Sequence, residues 1–144
     1  MSDTQSVCPG CGAVNRIAEG RPREAAKCGK CAAQLFDGRP VEVDEAGLWR
    51  HVGKSTDPVL LDVWAPWCGP CRAMAPQFEA AAGRLAAKVR FLKLNSDTAP
   101  EASQRLGVRG IPALFLFKDG KVAAQSAGAM TAQQIETWLA EQGV

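Results

Sequence analysis

Six cysteines, every one of them in a Cys-x-x-Cys pair, constrain this chain more than any other feature of its 144 residues. The pairs are Cys8 with Cys11, Cys28 with Cys31, and Cys68 with Cys71, so no thiol is left over. A secreted miniprotein would use six cysteines as a disulfide framework, but this chain is larger than that class. Residues Met1 to Gln5 carry an acid and lead into no apolar run, which reads as the lack of a secretory leader. The longest apolar runs, Val59 to Trp67 and Ile111 to Phe117, are broken by Asp62 or bounded by Lys118. They are strand-sized, short of the roughly 18 residues of a membrane span. The expectation is a soluble protein of a reducing, cytoplasmic compartment with no membrane contact.

Composition shifts near residue 40. The first 40 residues hold four of the six cysteines and one aromatic side chain, Phe36. That is too little apolar material to close a core unaided, so the segment needs a staple. The remainder reads as alternating elements: strand Val41 to Asp44, helix Glu45 to Val52, strand Val59 to Ala65, helix Pro70 to Ala87, strand Val89 to Asn95 and helix Pro100 to Leu106. Strands Ala113 to Phe117 and Val122 to Ala127 follow, joined by a turn at Asp119 and Gly120, and a helix from about Thr131 to Glu141 opens on a Thr131 and Gln134 capping box. This alternation predicts a mixed α/β fold. The reading divides the chain into residues 1–39, a metal ribbon, and residues 40–144, an α/β domain.

Sixteen residues separate Cys11 from Cys28, the spacing of a structural zinc site built from two Cys-x-x-Cys turns. Four thiolates close the tetrahedral shell, so Cys8, Cys11, Cys28 and Cys31 are expected to hold one structural Zn2+ rather than a catalytic one. Gly10, Gly12 and Gly29 suit tight turns whose φ larger residues resist. The alternative is two local dithiols without metal. Nucleic-acid binding is disfavoured, because the segment lacks interleaved aromatic residues for stacking and the whole chain balances 17 basic against 15 acidic side chains.

The third pair, within Trp67-Cys68-Gly69-Pro70-Cys71, lies where an apolar strand passes into a helix. At a helix N-terminus the free N–H groups stabilise a thiolate, which makes Cys68 the nucleophile. Cys71, one turn on, is the resolving thiol that attacks a mixed disulfide from a fixed position. Gly69 leaves room for a partner chain, and Pro70 suits the first helical turn. Asp62 stands in an otherwise apolar strand. If buried there, its pKa rises and it becomes a proton acceptor near neutral pH; the other reading is a strand-end carboxylate facing solvent. Trp49 and Trp138 read as core by helical spacing, Trp64 as core beneath the dithiol, and His51, the single histidine, as a surface residue of the first helix.

Leu61-Asp62-Val63-Trp64-Ala65-Pro66-Trp67-Cys68-Gly69-Pro70-Cys71, then Lys93-Leu94-Asn95, Gly110-Ile111-Pro112 and Phe117-Lys118-Asp119-Gly120, resemble the thioredoxin family in order and spacing over residues 40 to 144. With its four-cysteine segment the chain is similar to the zinc-containing thioredoxins of bacteria. The resemblance implies a four- or five-stranded mixed sheet flanked by four helices, and reduction of protein disulfides. It also implies recharging by a flavin-dependent, NADPH-driven thioredoxin reductase. It assigns Asp62 as the base for Cys71, Lys93 as the group that tunes Asp62, and a cis bond between Ile111 and Pro112 beside the dithiol. A docking surface for oxidised protein substrates would then comprise Trp67, Gly69, Pro70, Gly110, Ile111, Pro112 and Gly128. A monomer is expected. Rival readings are a holdase that only uses the dithiol for regulation, and an oxidase of an export compartment. Loss of zinc on oxidation of the four ribbon cysteines is a further expectation from thiolate chemistry.

Overall fold

The computed structural model describes residues 3–85 and 87–144. Met1 and Ser2, at the head of the expected ribbon, and Ala86, in the last turn of the expected Pro70 to Ala87 helix, lie outside the described residues. Two short strands come first, β1 (Thr4–Val7) and β2 (Val14–Ile17), followed by a turn of 3-10 helix at Arg23–Ala25. The alternating part runs β3 (Val41–Val43), α1 (Glu45–Lys54), β4 (Val59–Trp64), α2 (Gly69–Leu85), β5 (Arg90–Asn95) and α3 (Pro100–Leu106). It closes with β6 (Ala113–Lys118), β7 (Lys121–Ala127) and α4 (Ala132–Glu141). Among the described residues no helix is long and apolar enough to cross a membrane.

The five-stranded sheet has the order β3-β5-β4-β6-β7. β4 is parallel to β5 on one side and antiparallel to β6 on the other. Both faces are covered, so β4 and β6 are nearly continuously apolar. Leu61, Val63, Phe115 and Phe117 face Leu48 and Val52 of α1, while Leu60, Leu114 and Leu116 face Phe78 of α2 and Ile135 of α4. Phe78 meets Phe91 edge to face at 5.2 Å.

Local signals set the ends of the elements. The Asp44 side chain accepts the Gly47 N–H at 2.7 Å and starts α1. Thr131 and Gln134 form the reciprocal box that starts α4. Asp119 and Gly120 both take positive φ, as a two-residue hairpin of right-handed twist requires. α2 continues through Pro76 to Leu85, and Ala87, the expected end, stands in a turn.

The N-terminal segment is a hairpin, β1 antiparallel to β2, which no pattern in its four-residue strands announces. It docks on α1 and the loop after it. The Thr56 N–H donates to the Gln5 carbonyl at 2.9 Å and the Val7 N–H donates to the Ser55 hydroxyl at 3.1 Å. His51 is therefore buried, at 4% exposure, rather than on the surface. The pattern of α1 alone shows one buried face, whereas the hairpin covers a second. Burial, then the charges of Arg90 and Arg50, push the His51 pKa down to about 4. Trp49 and Trp138, expected in the core, are only half-buried at its margin. Trp49 is capped by the Arg105 guanidinium at 4.3 Å.

Beneath the hairpin, Phe36 lies between two guanidiniums, Arg23 at 4.7 Å and Arg90 at 4.9 Å from its ring centre. Asp57 pairs with Arg23 and accepts a hydrogen bond from Ser6, and Arg90 reaches the Val7 carbonyl at 3.4 Å. Asp57 is buried and Arg23 half-buried, so removing the carboxylate leaves the guanidinium, and the buried Arg90 nearby, without their counter-charge. Asp57→Ala should therefore cost about 3 kcal/mol in urea denaturation. Arg84→Ala, which breaks an exposed pair with Glu136, should cost less than about 1 kcal/mol.

Candidate active site and metal centre

The ribbon builds the same turn twice. In the first, the Cys8 N–H donates to the Ala13 carbonyl at 2.8 Å and the Gly12 N–H to the Cys8 carbonyl at 3.0 Å. In the second, Cys28, Ala33 and Ala32 repeat these bonds at 2.8 and 2.9 Å. The third residue of each turn donates its N–H to the first sulfur, Gly10 to Cys8 at 3.3 Å and Lys30 to Cys28 at 3.4 Å. The left-handed position falls on Gly12 (φ 78°) and on Ala32 (φ 65°). Of the three glycines assigned this need, only Gly12 has it. Gly10 and Gly29 are not at positive φ, and the second turn places an alanine there instead.

The two turns bring four sulfurs together, with Cys8 and Cys31 3.6 Å apart, Cys11 and Cys28 3.6 Å apart, and all four within 4.8 Å of one another. A tetrahedron of sulfurs about 2.3 Å from a central cation has edges of about 3.8 Å, so the cluster fits a metal ion. The N–H groups aimed at Cys8 and Cys28 fit thiolates rather than thiols. Cys8 and Cys28 are buried, and Cys11 and Cys31 are exposed.

The second cluster of sulfur lies at the C-terminal end of β4. Cys68 precedes α2 and acts as its cap: the Arg72 N–H donates to the Cys68 carbonyl at 3.1 Å, and the Cys71 N–H donates to the Cys68 sulfur at 3.2 Å. This is the capping geometry of a serine with sulfur in place of oxygen. Cys68 and Cys71 form a disulfide with Cα atoms 5.2 Å apart. Cys71 is buried. Cys68 is 5% exposed, and that edge opens on a groove of about 550 Å3 lined by Trp67, Gly69, Pro70, Arg109, Gly110 and Ile111, among others.

The Cys68 sulfur lies 3.8 Å from the Ile111 carbonyl, and the Ile111–Pro112 bond is cis. Pro112 and Gly128 do not line the groove; the Gly128 N–H instead donates to the Pro112 carbonyl at 2.9 Å behind it. Trp67 is 67% exposed, held by Asp97, which accepts its indole N–H at 3.1 Å. Asp97 was not singled out in the sequence, and its position two residues beyond β5 carries no marker of that role.

Asp62 is 1% exposed, and neither carboxylate oxygen has a hydrogen-bond partner. Strand register places it directly beside Lys93 of β5. Burial raises its pKa to about 7; Lys93 pulls it down and Glu42 pushes it up. Lys93 is half-buried, its ammonium 4.8 Å from the centre of the Trp64 ring. Trp64 is half-buried rather than core, and its indole N–H donates to Glu42 at 3.1 Å.

A Cys-x-x-Cys disulfide at the start of a helix, open to a groove, defines a disulfide oxidoreductase. Residues 40–141 match the family model described as Thioredoxin, and residues 7–33 match one described as Thioredoxin 2, N-terminal. Thioredoxin C-3 of Corynebacterium nephridii is 36% identical over 136 residues, covering 94% of this chain and 93% of that protein. The thioredoxins of Rhodospirillum rubrum and Pseudomonas aeruginosa are 43% and 42% identical, covering 68% and 69% of this chain and 94% and 92% of theirs. The chain belongs to the thioredoxin family.

Between pH 3.8 and about 7, the Asp62 carboxyl stays protonated in the folded chain while it ionises in the unfolded one. The unfolded state therefore binds fewer protons, and stability falls as pH rises through this window. Asp62→Asn should be more stable than the native chain by roughly 2–4 kcal/mol at pH 8.5. The difference should disappear below the unfolded value; guanidinium denaturation at the two pH values measures both.

Proposed function

We propose that this chain is a cytoplasmic protein-disulfide reductase, with residues 40–144 as the reducing domain and residues 1–39 as a ribbon that holds one structural Zn2+. What carries the reading is Cys68 capping α2 at the edge of an open groove, with Cys71 one turn behind it. The reduced dithiol begins the cycle. The Cys68 thiolate, stabilised by the N–H groups of the helix start, attacks one sulfur of a substrate disulfide; that bond breaks and the first substrate thiolate leaves and takes a proton. Asp62, with Lys93 tuning it, accepts the Cys71 proton through water. The Cys71 thiolate then attacks the Cys68 sulfur and releases the second substrate thiolate, which is protonated in turn. Two electrons pass from the pair to the substrate, leaving the Cys68–Cys71 disulfide.

Oxidised protein segments dock across Trp67, Gly69, Pro70, Gly110 and Ile111, with Pro112 and Gly128, which the groove lining lacks, fixing the backbone that follows Ile111. A flavin-dependent, NADPH-driven thioredoxin reductase returns the pair to the dithiol, and the protein works as a monomer without nucleic acid or membrane. The family membership supports both partners. Cys8, Cys11, Cys28 and Cys31 hold the metal, and four thiolates supply a closed site, so its contribution is folding free energy rather than chemistry. A reducing compartment is the one that keeps such thiolates available.

Cys68→Ser should abolish reduction of a model protein disulfide by thioredoxin reductase and NADPH, and Cys71→Ser should accumulate covalent mixed disulfides with substrate. Full turnover by the Cys68 variant would reject the reading. Metal analysis of the same sample should return one zinc per chain, and Cys28→Ser should lose it.

A further inference from the structure

Three strands place three charged residues in one row. Glu42 of β3 stands opposite Lys93 of β5, and Lys93 stands opposite Asp62 of β4. Neighbouring side chains on a strand alternate faces: Val41 and Val43 pack on the α1 side, as do Leu92 and Leu94 around Lys93 and Leu61 and Val63 around Asp62. Glu42, Lys93 and Asp62 therefore all point to the α2 face. A single ammonium stands between two carboxyls, each about 4.8 Å of strand spacing away.

The two carboxyls are not equivalent. Asp62 is sealed and makes no hydrogen bond. Glu42 sits at the sheet edge and lines a groove of about 910 Å3 between that edge and the first cysteine turn. It accepts the Trp64 indole N–H, and the Trp64 ring in turn lies against the Lys93 ammonium. An edge carboxylate that reaches across β5 to an indole on β4 is thus tied to the cation that Asp62 needs.

We propose that Glu42 is a positioning residue for the dithiol chemistry, sharing Lys93 with Asp62 and fixing Trp64 against that ammonium, so that its charge sets the pH at which Asp62 accepts a proton. The inference rests on the reading of Asp62 as the base for Cys71. The charge acts in one direction by two routes. A negative Glu42 opposes a second negative charge at Asp62, and it also draws Lys93 toward itself; both raise the pH at which Asp62 ionises. Partial burial raises Glu42 itself, against the lowering effects of the Trp64 hydrogen bond and of Lys93.

Among the described residues, Asp44, Arg50 and His51 line the groove that Glu42 also lines, and Asp37 and Arg39 lie where the chain enters β3. Arg50 donates to the Gly12 carbonyl of the ribbon, and the Asp44 carboxylate accepts the Gly47 N–H, so neither is free to replace Glu42 beside Lys93.

Glu42→Gln removes the charge while its amide oxygen can still accept the Trp64 indole N–H, and Glu42→Leu removes both. In a 13C NMR titration of the Asp62 carboxyl in the oxidised protein, Glu42→Gln should lower the midpoint by about 0.5 pH unit, the size expected of one partly screened charge two strand spacings away. The Trp64 indole N–H resonance should stay in place in Glu42→Gln and move in Glu42→Leu. An Asp62 midpoint unchanged by Glu42→Gln overturns the proposal, and a shift of Trp64 alone assigns Glu42 a purely structural role and overturns it too. The reading on which it rests is judged separately by the pH profile of disulfide reduction with dithiothreitol as electron donor. There Asp62→Asn should lose the inflection near neutral pH. If that inflection survives, Asp62 is not the base, while the titration still decides whether Glu42 governs its charge.

Discussion

Strand β4 is held from four sides, and the active site follows from that confinement. Hydrogen bonds tie it to β5 and β6, and two separate apolar clusters press on its faces. A slip of one residue would exchange those faces and turn Asp62 into the cluster that Leu61 and Val63 fill. The register also decides that Asp62, rather than a leucine, lies in the covered row, and that Cys68 emerges where α2 begins. The geometry of the sulfurs is thus a property of the whole sheet rather than of the five residues around them.

The ribbon is attached by polar groups that would be costly without one another. Arg90 is 3% exposed, and burial lowers its pKa even though Asp57, Asp37 and Cys8 oppose the shift. Phe36, the single aromatic residue of the segment, spreads over both Arg90 and Arg23. A guanidinium stacked on a ring keeps its edge free for hydrogen bonds, which Arg23 uses toward Thr4 and the Ala87 carbonyl. In the same neighbourhood Gly38, at positive φ, lies in ordinary van der Waals reach of Gly83 of α2. The small cluster of Cys8, Ile17, Cys28, Leu35 and Phe36 shows that the segment does contain a core of its own, with Arg90 of β5 laid over the Phe36 ring.

What could be read in advance was whatever depends on neighbours in sequence. The two cysteine turns, the dithiol at the strand-to-helix passage, the Asp119-Gly120 hairpin and the Thr131 box all draw their geometry from three to five consecutive residues. Features that depend on docking were not legible. His51 follows the pattern of an exposed helix position until β1 covers it. Glu42 has no mark in a three-residue strand, since its part requires the order β3-β5-β4 and the register of both pairings. Ala32 could not be told from its neighbours, because the need for a left-handed residue appears only when the second turn is laid over the first.

The groove beside Cys68 includes two residues without side chains, Gly69 and Gly110, and the exposed Trp67 stands at its edge. On the proposed reading, a cleft that narrow in side chains would favour segments free to extend across it. A disulfide in a well-packed fold must first expend free energy to peel its segment loose, whereas one in a frayed region presents itself at almost none. A reductase of this make would rank its targets by their local instability.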